Sequence, residues 1–323
     1  MPGFTLVAIV TAAAYGLRQV PGLSALSPMI TAIFIGLAFS SFTTVPAAAK
    51  PGVALFGKSL LRLAIVLLGV QLTLGQLGEV GVVRMLTVCV LVAATFLAAL
   101  LLGRLLGINP GLARLLAAGT SICGASAIAA ANAVQRTNDE DVAYAVACVT
   151  IFGTVAMLAY PLLGQMAGLS SADYGFWVGS SVHEVAQVVA AGFQNGNAAG
   201  EQGVVVKLSR VILLAPLLIG MSVLSAGRTR GAAGKMTFSQ IVPTFVIGFV
   251  LCMILNTLDL IPAHLKALIV NITPIMLTAA LGALGLGTNF GAVKARGARP
   301  LLVAALASVF ISGASYLLLA FAL

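Results

Sequence analysis

Eleven apolar stretches follow one another along this chain almost without pause, at 3–17, 27–44, 57–75, 82–103, 111–134, 140–160, 172–192, 204–226, 238–258, 265–288 and 299–322. Most approach the roughly 20 residues that an α-helix needs to cross the hydrocarbon core of a bilayer. With 60% hydrophobic residues and only 8% charged ones, the chain lies far outside the soluble globular range. The loops between the stretches leave no room for a soluble domain. The chain therefore reads as an all-α polytopic membrane protein, one transmembrane domain over 1–323 with about eleven membrane elements.

A formal net charge of +9 raises the question of nucleic acid, but the 17 Lys and Arg residues stand one to three per loop instead of forming a stripe. Their distribution follows the positive-inside rule. Counting loops alternately, one side carries Lys50, Lys58, Arg104, Arg114, Arg228, Arg230, Lys235, Lys294, Arg296 and Arg299; the other carries Arg18, Arg84, Lys207, Arg210 and Lys266. The richer side is expected in the cytoplasm, with the N-terminus inside and the C-terminus outside. The first stretch lacks a basic n-region and a small-residue cleavage site, so it is expected to be a retained helix and not a signal peptide. Cys89, Cys123, Cys148 and Cys252 lie in separate apolar segments with no CxxC pair and no His at metal spacing. Neither a metal nor a cofactor is expected.

Two internal offsets appear. Residues 27–36 align with 239–248, and Leu68-Gly69 with Leu281-Gly282, at shifts of 212 and 213. The first four stretches, within 1–107, thus look like a copy of the last four, within 213–323, around a central segment 108–212. A shift of 60 superposes Gly119-Thr120-Ser121 on Gly179-Ser180-Ser181. These two polar breaks admit two arrangements: spanning helices that run parallel, or re-entrant hairpins that enter from opposite faces with their tips meeting midway. In either case an odd number of crossings separates the outer blocks, which makes them inverted repeats.

The breaks are the best pointer to function, because a small polar interruption at membrane depth survives only where it faces a cavity or other protein. In the first, Asn109-Pro110-Gly111 is a turn, Gly119–Gly124 interrupts the helix, and an alanine-rich half-helix follows. A half-helix beginning near Thr120 or Ser121 would offer free N–H groups and a positive dipole end to an anion, with Thr120, Ser121 and Ser126 as hydroxyl donors and Cys123 inside the break. Close packing of small residues is the competing explanation. The second break, Gly179-Ser180-Ser181-Val182, leads into His183 and Glu184, an adjacent imidazole and carboxylate in a region where a charge costs on the order of 2.5–3.5 kcal/mol. A coupling role for His183, Glu184 and Gln187 follows. Gln187 stands where the HExxH zinc helix has its second His, so a metalloprotease is not expected.

Other polar groups are secondary candidates. Lys58 and Arg62, four apart, share a helix face and correspond at the repeat offset to the Asn271-Ile-Thr273-Pro274 region. Asn289 follows a glycine run; Lys58, Arg62, Asn271, Thr273 and Asn289 are candidate cavity-lining residues. Lys207 and Arg210 begin the eighth stretch on the charge-poor side, where they either pair with Glu201 or form an outer anion vestibule. Thr137 and Glu140 read as a capping box, with Asp139 and Asp141 suited to the same helix N-terminus.

The stretches Gly119-Thr-Ser-Ile-Cys-Gly-Ala-Ser-Ala-Ile-Ala-Ala130, Gly179-Ser-Ser-Val-His-Glu-Val-Ala-Gln-Val-Val-Ala-Ala-Gly192 and Leu60-Leu-Arg-Leu-Ala-Ile-Val-Leu-Leu-Gly69 together resemble the YeiH family of prokaryotic membrane proteins, which carries the label sulfate exporter. The resemblance covers essentially the whole chain. The resemblance implies Asn at position 125 in many relatives; this chain has Ala125, so an amide contact to the substrate is not expected there. The resemblance implies a multi-pass protein of the prokaryotic inner membrane. The resulting expectation is a secondary active transporter, an exporter of a small inorganic or sulfur-containing anion such as sulfate or sulfite, coupled to protons through His183 and Glu184. The anion would rest on Gly119, Thr120, Ser121, Cys123, Gly124, Ser126, Gly179, Ser180 and Ser181. A sodium-coupled carrier of an organic anion is the alternative, an intramembrane enzyme using Cys123 and His183 a remote one, and a homodimer an admissible assembly.

Overall fold

The computed structural model describes residues 2–20, 26–226, 244–287 and 297–322, and every regular element among them is helical. In chain order these are α1 (Pro2–Leu17), α2 (Pro28–Phe42), α3 (Lys50–Leu55), a π-helical turn (Phe56–Leu60), α4 (Leu61–Leu68), a 3₁₀ turn (Gly69–Gln71), α5 (Leu74–Leu105), α6 (Pro110–Ser121), α7 (Ala125–Gln135) and α8 (Asp139–Met166). There follow α9 (Ser171–Ser181), α10 (Val185–Gln194), α11 (Asn197–Ile212), α12 (Leu214–Ala226), α13 (Thr244–Thr257), α14 (Ala263–Gly287) and α15 (Ala298–Ala322). Among the described residues, six helical runs are long and apolar enough to cross a membrane: Lys50–Gln71, Gly81–Leu105, Asp139–Met166, Asn197–Met221, Ala263–Gly287 and Ala298–Ala320. The count falls below eleven in part because the stretches at 111–134 and 172–192 are each divided into two short helices.

The chain packs as two units. One combines residues 1–79 with 244–289. Its core joins Val7, Val10 and Ala14 of α1 to Ala32 of α2, Val53 of α3 and Ala279, Ala283 and Leu286 of α14. Helices α2 and α14 touch backbone to backbone: a Cβ on Gly36 would lie 2.5 Å from the Gly282 carbonyl oxygen, and one on Gly285 2.5 Å from that of Ile33. Asn256 on α13 donates to the Leu72 carbonyl (2.8 Å) and accepts from Lys266 Nζ (2.7 Å), so the chain leaving the 3₁₀ turn is held by side chains.

The other unit combines 80–243 with 290–323. Inside it α6 and α7 lie antiparallel. Arg114 Nε donates to Gln135 Oε1 (2.8 Å), and Cβ atoms on Gly111 and Gly119 would each lie 2.8 Å from Thr137 and Ile128 respectively, so residues pair inward toward a turn at 122–124. Helices α9 and α10 form a second hairpin, turning at 182–184, with the Tyr174 hydroxyl donating to the Ala191 carbonyl (3.0 Å). Both hairpins rest on α8, whose 28 residues extend about 42 Å. Along α8, Val149 meets Gly119 of the first hairpin, Thr150 bonds Glu184 at the tip of the second, and Gly164 meets Tyr174 near the second hairpin's base. The hairpins therefore lie on opposite halves of α8 and their tips meet beside Thr150. Helix α11 passes both tips, and α15 lies along α9.

The capping box expected at Thr137 and Glu140 is displaced by one residue. Asn138 is the N-cap of α8, accepting from the Asp141 amide at 2.8 Å, because the Thr137 amide is already bonded to Asn132 Oδ1 (2.8 Å) in the turn out of α7. Asp139, Glu140 and Asp141 do occupy the first turn of α8.

Candidate functional site

The site begins with the polarity of the two tips. Helix α6 continues through Ser121 and α7 starts only at Ala125; α9 continues through Ser181 and α10 starts at Val185. Gly119–Ser121 and Gly179–Ser181 are thus C-terminal turns presenting carbonyl groups, which corrects the expectation of a helix start near Thr120 or Ser121. The serine hydroxyls bond back into their own helices, Ser121 Oγ donating to Ala117 (2.7 Å), Ser180 Oγ to Phe176 (2.6 Å), and Ser181 Oγ to Trp177, whereas Thr120 Oγ1 is buried with no partner among the described residues. That bonding satisfies a serine within a helix and uses up its donor. Gly119 packs against Ile128 and Val149, and Gly179 against the Gly203 backbone and Val206 of α11, so both serve close approach of helices.

A helix C-terminus leaves carbonyls unpaired and carries about half a negative charge. Two such ends converge here, and α11 supplies the counter-charges. Lys207 Nζ donates to the carbonyls of Ile122 (2.6 Å) and Val182 (2.8 Å), one from each tip. Arg210 donates through Nε to Ser121 (3.1 Å), through one terminal nitrogen to Gly179 (3.2 Å) and Val182 (2.9 Å), and through the other to Thr120 and Ser121 (2.9 Å each). Both side chains are fully buried. They neither pair with Glu201 nor line an outer vestibule; helix α11 starts at Asn197, which places them in its third and fourth turns, inside the protein.

The opposite, positive ends of the second half-helices lie just beyond. Gly124, with φ +64° and ψ −129°, turns the chain into α7, and no side chain caps that helix. Only glycine fits, since a Cβ at 124 would sit 2.6 Å from Glu184 Cγ as well as straining the backbone. Ser126 in the first turn of α7 is exposed, whereas Thr120, Ser121, Cys123, Ser180 and Ser181 are buried. Glu184 caps α10: its side chain accepts from the Gln187 amide while Gln187 Oε1 accepts from the Glu184 amide (3.0 Å). Thr150 Oγ1 donates to Glu184 Oε1 (3.0 Å), and Gln187 Nε2 donates to the Thr150 carbonyl (3.1 Å). His183 is buried, with Nε2 2.7 Å from Ser308 Oγ on α15. Glu184 itself is half-buried.

The structure thus brings Thr120, Ser121, Cys123, Gly124, Ser126, His183, Glu184 and Gln187 to one pair of tips. Lys58, Arg62, Asn271 and Thr273 belong to the other unit; the first three are exposed, and Thr273 Oγ1 donates to Ile269 of its own helix (2.6 Å). Asn289 lies outside the described residues. Sequence reasoning missed Thr150 and Ser308 altogether and misread Lys207 and Arg210. Among the described residues no three His, Cys, Asp or Glu side chains gather as a metal-binding group.

A family described as conserved hypothetical protein 698 matches residues 2–304. The chain belongs to that family. It is 34% identical over 320 residues to the UPF0324 membrane protein Atu0671 of Agrobacterium fabrum, covering 98% of this chain and 91% of that one. Against UPF0324 membrane protein PA5383 of Pseudomonas aeruginosa the identity is 37%, with 95% and 90% covered. Against the UPF0324 inner membrane protein YeiH of Escherichia coli K12 it is 36%, with 94% and 89% covered. These relatives are named as membrane proteins, and with six helical runs of spanning length this member of the family is one too.

Proposed function

We propose that the chain is a secondary active transporter of a small inorganic or sulfur-containing anion, such as sulfate or sulfite, with protons as the coupling ion and export as its direction. The observation that carries this reading is the meeting of the two hairpin tips on Lys207 and Arg210. Two cations give +2, Glu184 when ionised −1, and the four helix ends about −0.5 each at the ends of α6 and α9 and +0.5 each at the starts of α7 and α10. The sum is about +1, rising to about +2 when Glu184 holds a proton, so the tips suit an anion and suit it better once protonated. The accessible N-terminal turn of α7, with Ser126, supplies backbone and hydroxyl donors. A dianion moving with one proton carries a net charge of −1, which an inside-negative membrane potential drives outward. The tip carbonyls that would coordinate sodium are already bonded to Lys207 and Arg210, which weighs against the sodium-coupled alternative.

In this reading the hairpins are re-entrant, entering from opposite faces, and the outer blocks 1–107 and 213–323 are inverted repeats. The long runs support it: at a shift of 213, Lys50–Gln71 corresponds to Ala263–Gly287, and at 217, Gly81–Leu105 to Ala298–Ala320, each pair falling in one unit. Purified protein should show a saturable rise in melting temperature with sulfate or sulfite at constant ionic strength and none with chloride, since only a ligand of the folded state stabilises it. An absence of any rise across sulfate, sulfite and sulfonates would remove the anion assignment.

Orientation follows from the charge asymmetry. In a prokaryotic inner membrane, a reporter that is active only outside the cytoplasm should work when fused after Leu323 and fail when inserted between Arg228 and Lys235; the reverse pattern would invert the topology.

A further inference from the structure

The two buried cations differ in how many donors they have left. A guanidinium has five N–H groups, and Arg210 makes five contacts to four carbonyls, so it is saturated as a clamp. An ammonium has three, and Lys207 spends two, on Ile122 and Val182. Those two carbonyls come from the residues immediately following α6 and α9, so a single nitrogen joins one tip to the other. Lys207 is fully buried, and the charged or titratable groups facing it are Glu184 and Cys123 from the tips and Arg210 from its own helix, with His183 adjacent in sequence to Val182. A carbonyl from each of two opposed half-helices, with a carboxylate beside them, is the donor set that dehydrates and holds a small monovalent cation at membrane depth.

We infer that the Ile122 and Val182 carbonyls form a monovalent-cation site that the Lys207 ammonium fills permanently, so that the protein carries its own cation where a coupling ion would bind. Removing the side chain past Cβ opens the site to a free cation of ammonium size. The site stands on the tip geometry alone; its consequence, sodium-independent transport, rests on the carrier reading above.

The test uses purified full-length protein melted in chloride salts of equal ionic strength: N-methyl-D-glucamine, sodium, and methylammonium. Lys207→Ala should melt below wild type in N-methyl-D-glucamine and recover saturably, by at least about 3 °C, in methylammonium. Wild type should melt at the same temperature in all three. If neither cation raises the variant above its value in N-methyl-D-glucamine, or if wild type gains as much as the variant, the inference is overturned. Should Lys207→Ala fail to fold, wild type still decides, because a sodium-specific rise there would mean the site is open with Lys207 in place. A saturable cation shift in Lys207→Ala without anion flux in any liposome would keep the cation site and remove the carrier.

Discussion

Arg210→Leu is expected to yield no stable protein. The substitution leaves the Thr120, Ser121 and Gly179 carbonyls without their donor, all at helix ends sealed from water, while Val182 keeps only Lys207. Each buried unsatisfied carbonyl costs about 1–3 kcal/mol. Three of them approach the roughly 5–15 kcal/mol that separates folded from unfolded protein. Replacing a buried charge by leucine is often tolerated when its partners leave with it, but here the carbonyls belong to the backbone and remain. Arg210→Lys retains the charge and at most three of the five bonds, so it should fold with a lower melting temperature. Size-exclusion profiles after detergent extraction, followed by thermal melts, measure both. An Arg210→Leu protein that extracts as a single sharp peak and melts beside wild type would show that the tips do not depend on this clamp.

The difference between what the sequence announces and what the fold does is sharpest at these tips. The interruptions were legible, because Gly, Ser and Thr gathered over 119–126 and 179–181 inside apolar runs have few other uses. Their polarity was not. A hydroxyl cluster reads as a set of donors for a ligand, yet α6 and α9 run on through Ser121 and Ser181, with Ser121 and Ser180 bonding back to Ala117 and Phe176, so the expected N-terminus is a C-terminus. Placing the start of the eighth stretch at residue 204 made Lys207 and Arg210 look interfacial. Helix α11 in fact begins at Asn197, in a segment whose Asn, Gly, Glu and Gln residues hide a helix from any hydropathy argument. Thr150 and Ser308 carry no local signal at all. Each is one hydroxyl in a long apolar helix, and its partner, Glu184 or His183, is fixed only by tertiary packing. Each break folds as a helical hairpin, held by the pairing of Arg114 with Gln135 and of Tyr174 with Ala191, and the entry of the two hairpins from opposite membrane faces belongs to the function proposed above.

Glu184→Gln should leave the protein folded and remove its response to pH. The carboxylate caps α10 and accepts from Thr150, and a carboxamide oxygen can still accept from both the Gln187 amide and Thr150 Oγ1, so the cost to stability should stay within about 1 kcal/mol. What changes is charge. When the wild-type carboxyl takes a proton, the tips lose one negative charge, and for an anion bound about 6–8 Å away this is a difference on the order of 2–3 kcal/mol per unit of anion charge at an effective dielectric of 20, roughly 30- to 100-fold in affinity for a monoanion and about the square of that for a dianion. Wild-type anion binding should therefore tighten as pH falls through the titration of this group, with Lys207, Arg210, Cys123 and His183 as the neighbouring charged or titratable groups. Glu184→Gln fixes the site near its protonated charge, so binding should be as tight at neutral pH as wild type is in acid, and nearly flat with pH. In proteoliposomes loaded with sulfite, wild-type flux should follow an imposed pH gradient and the variant's should not. His183→Ala provides the second arm: because the His183 ring bonds Ser308 and, among the described residues, makes no hydrogen bond to the Glu184 carboxyl, it should shift the pH optimum without abolishing the response. Wild-type flux that ignores the pH gradient and requires sodium, with that requirement lost in Glu184→Gln, would overturn proton coupling and make the carboxylate a sodium ligand.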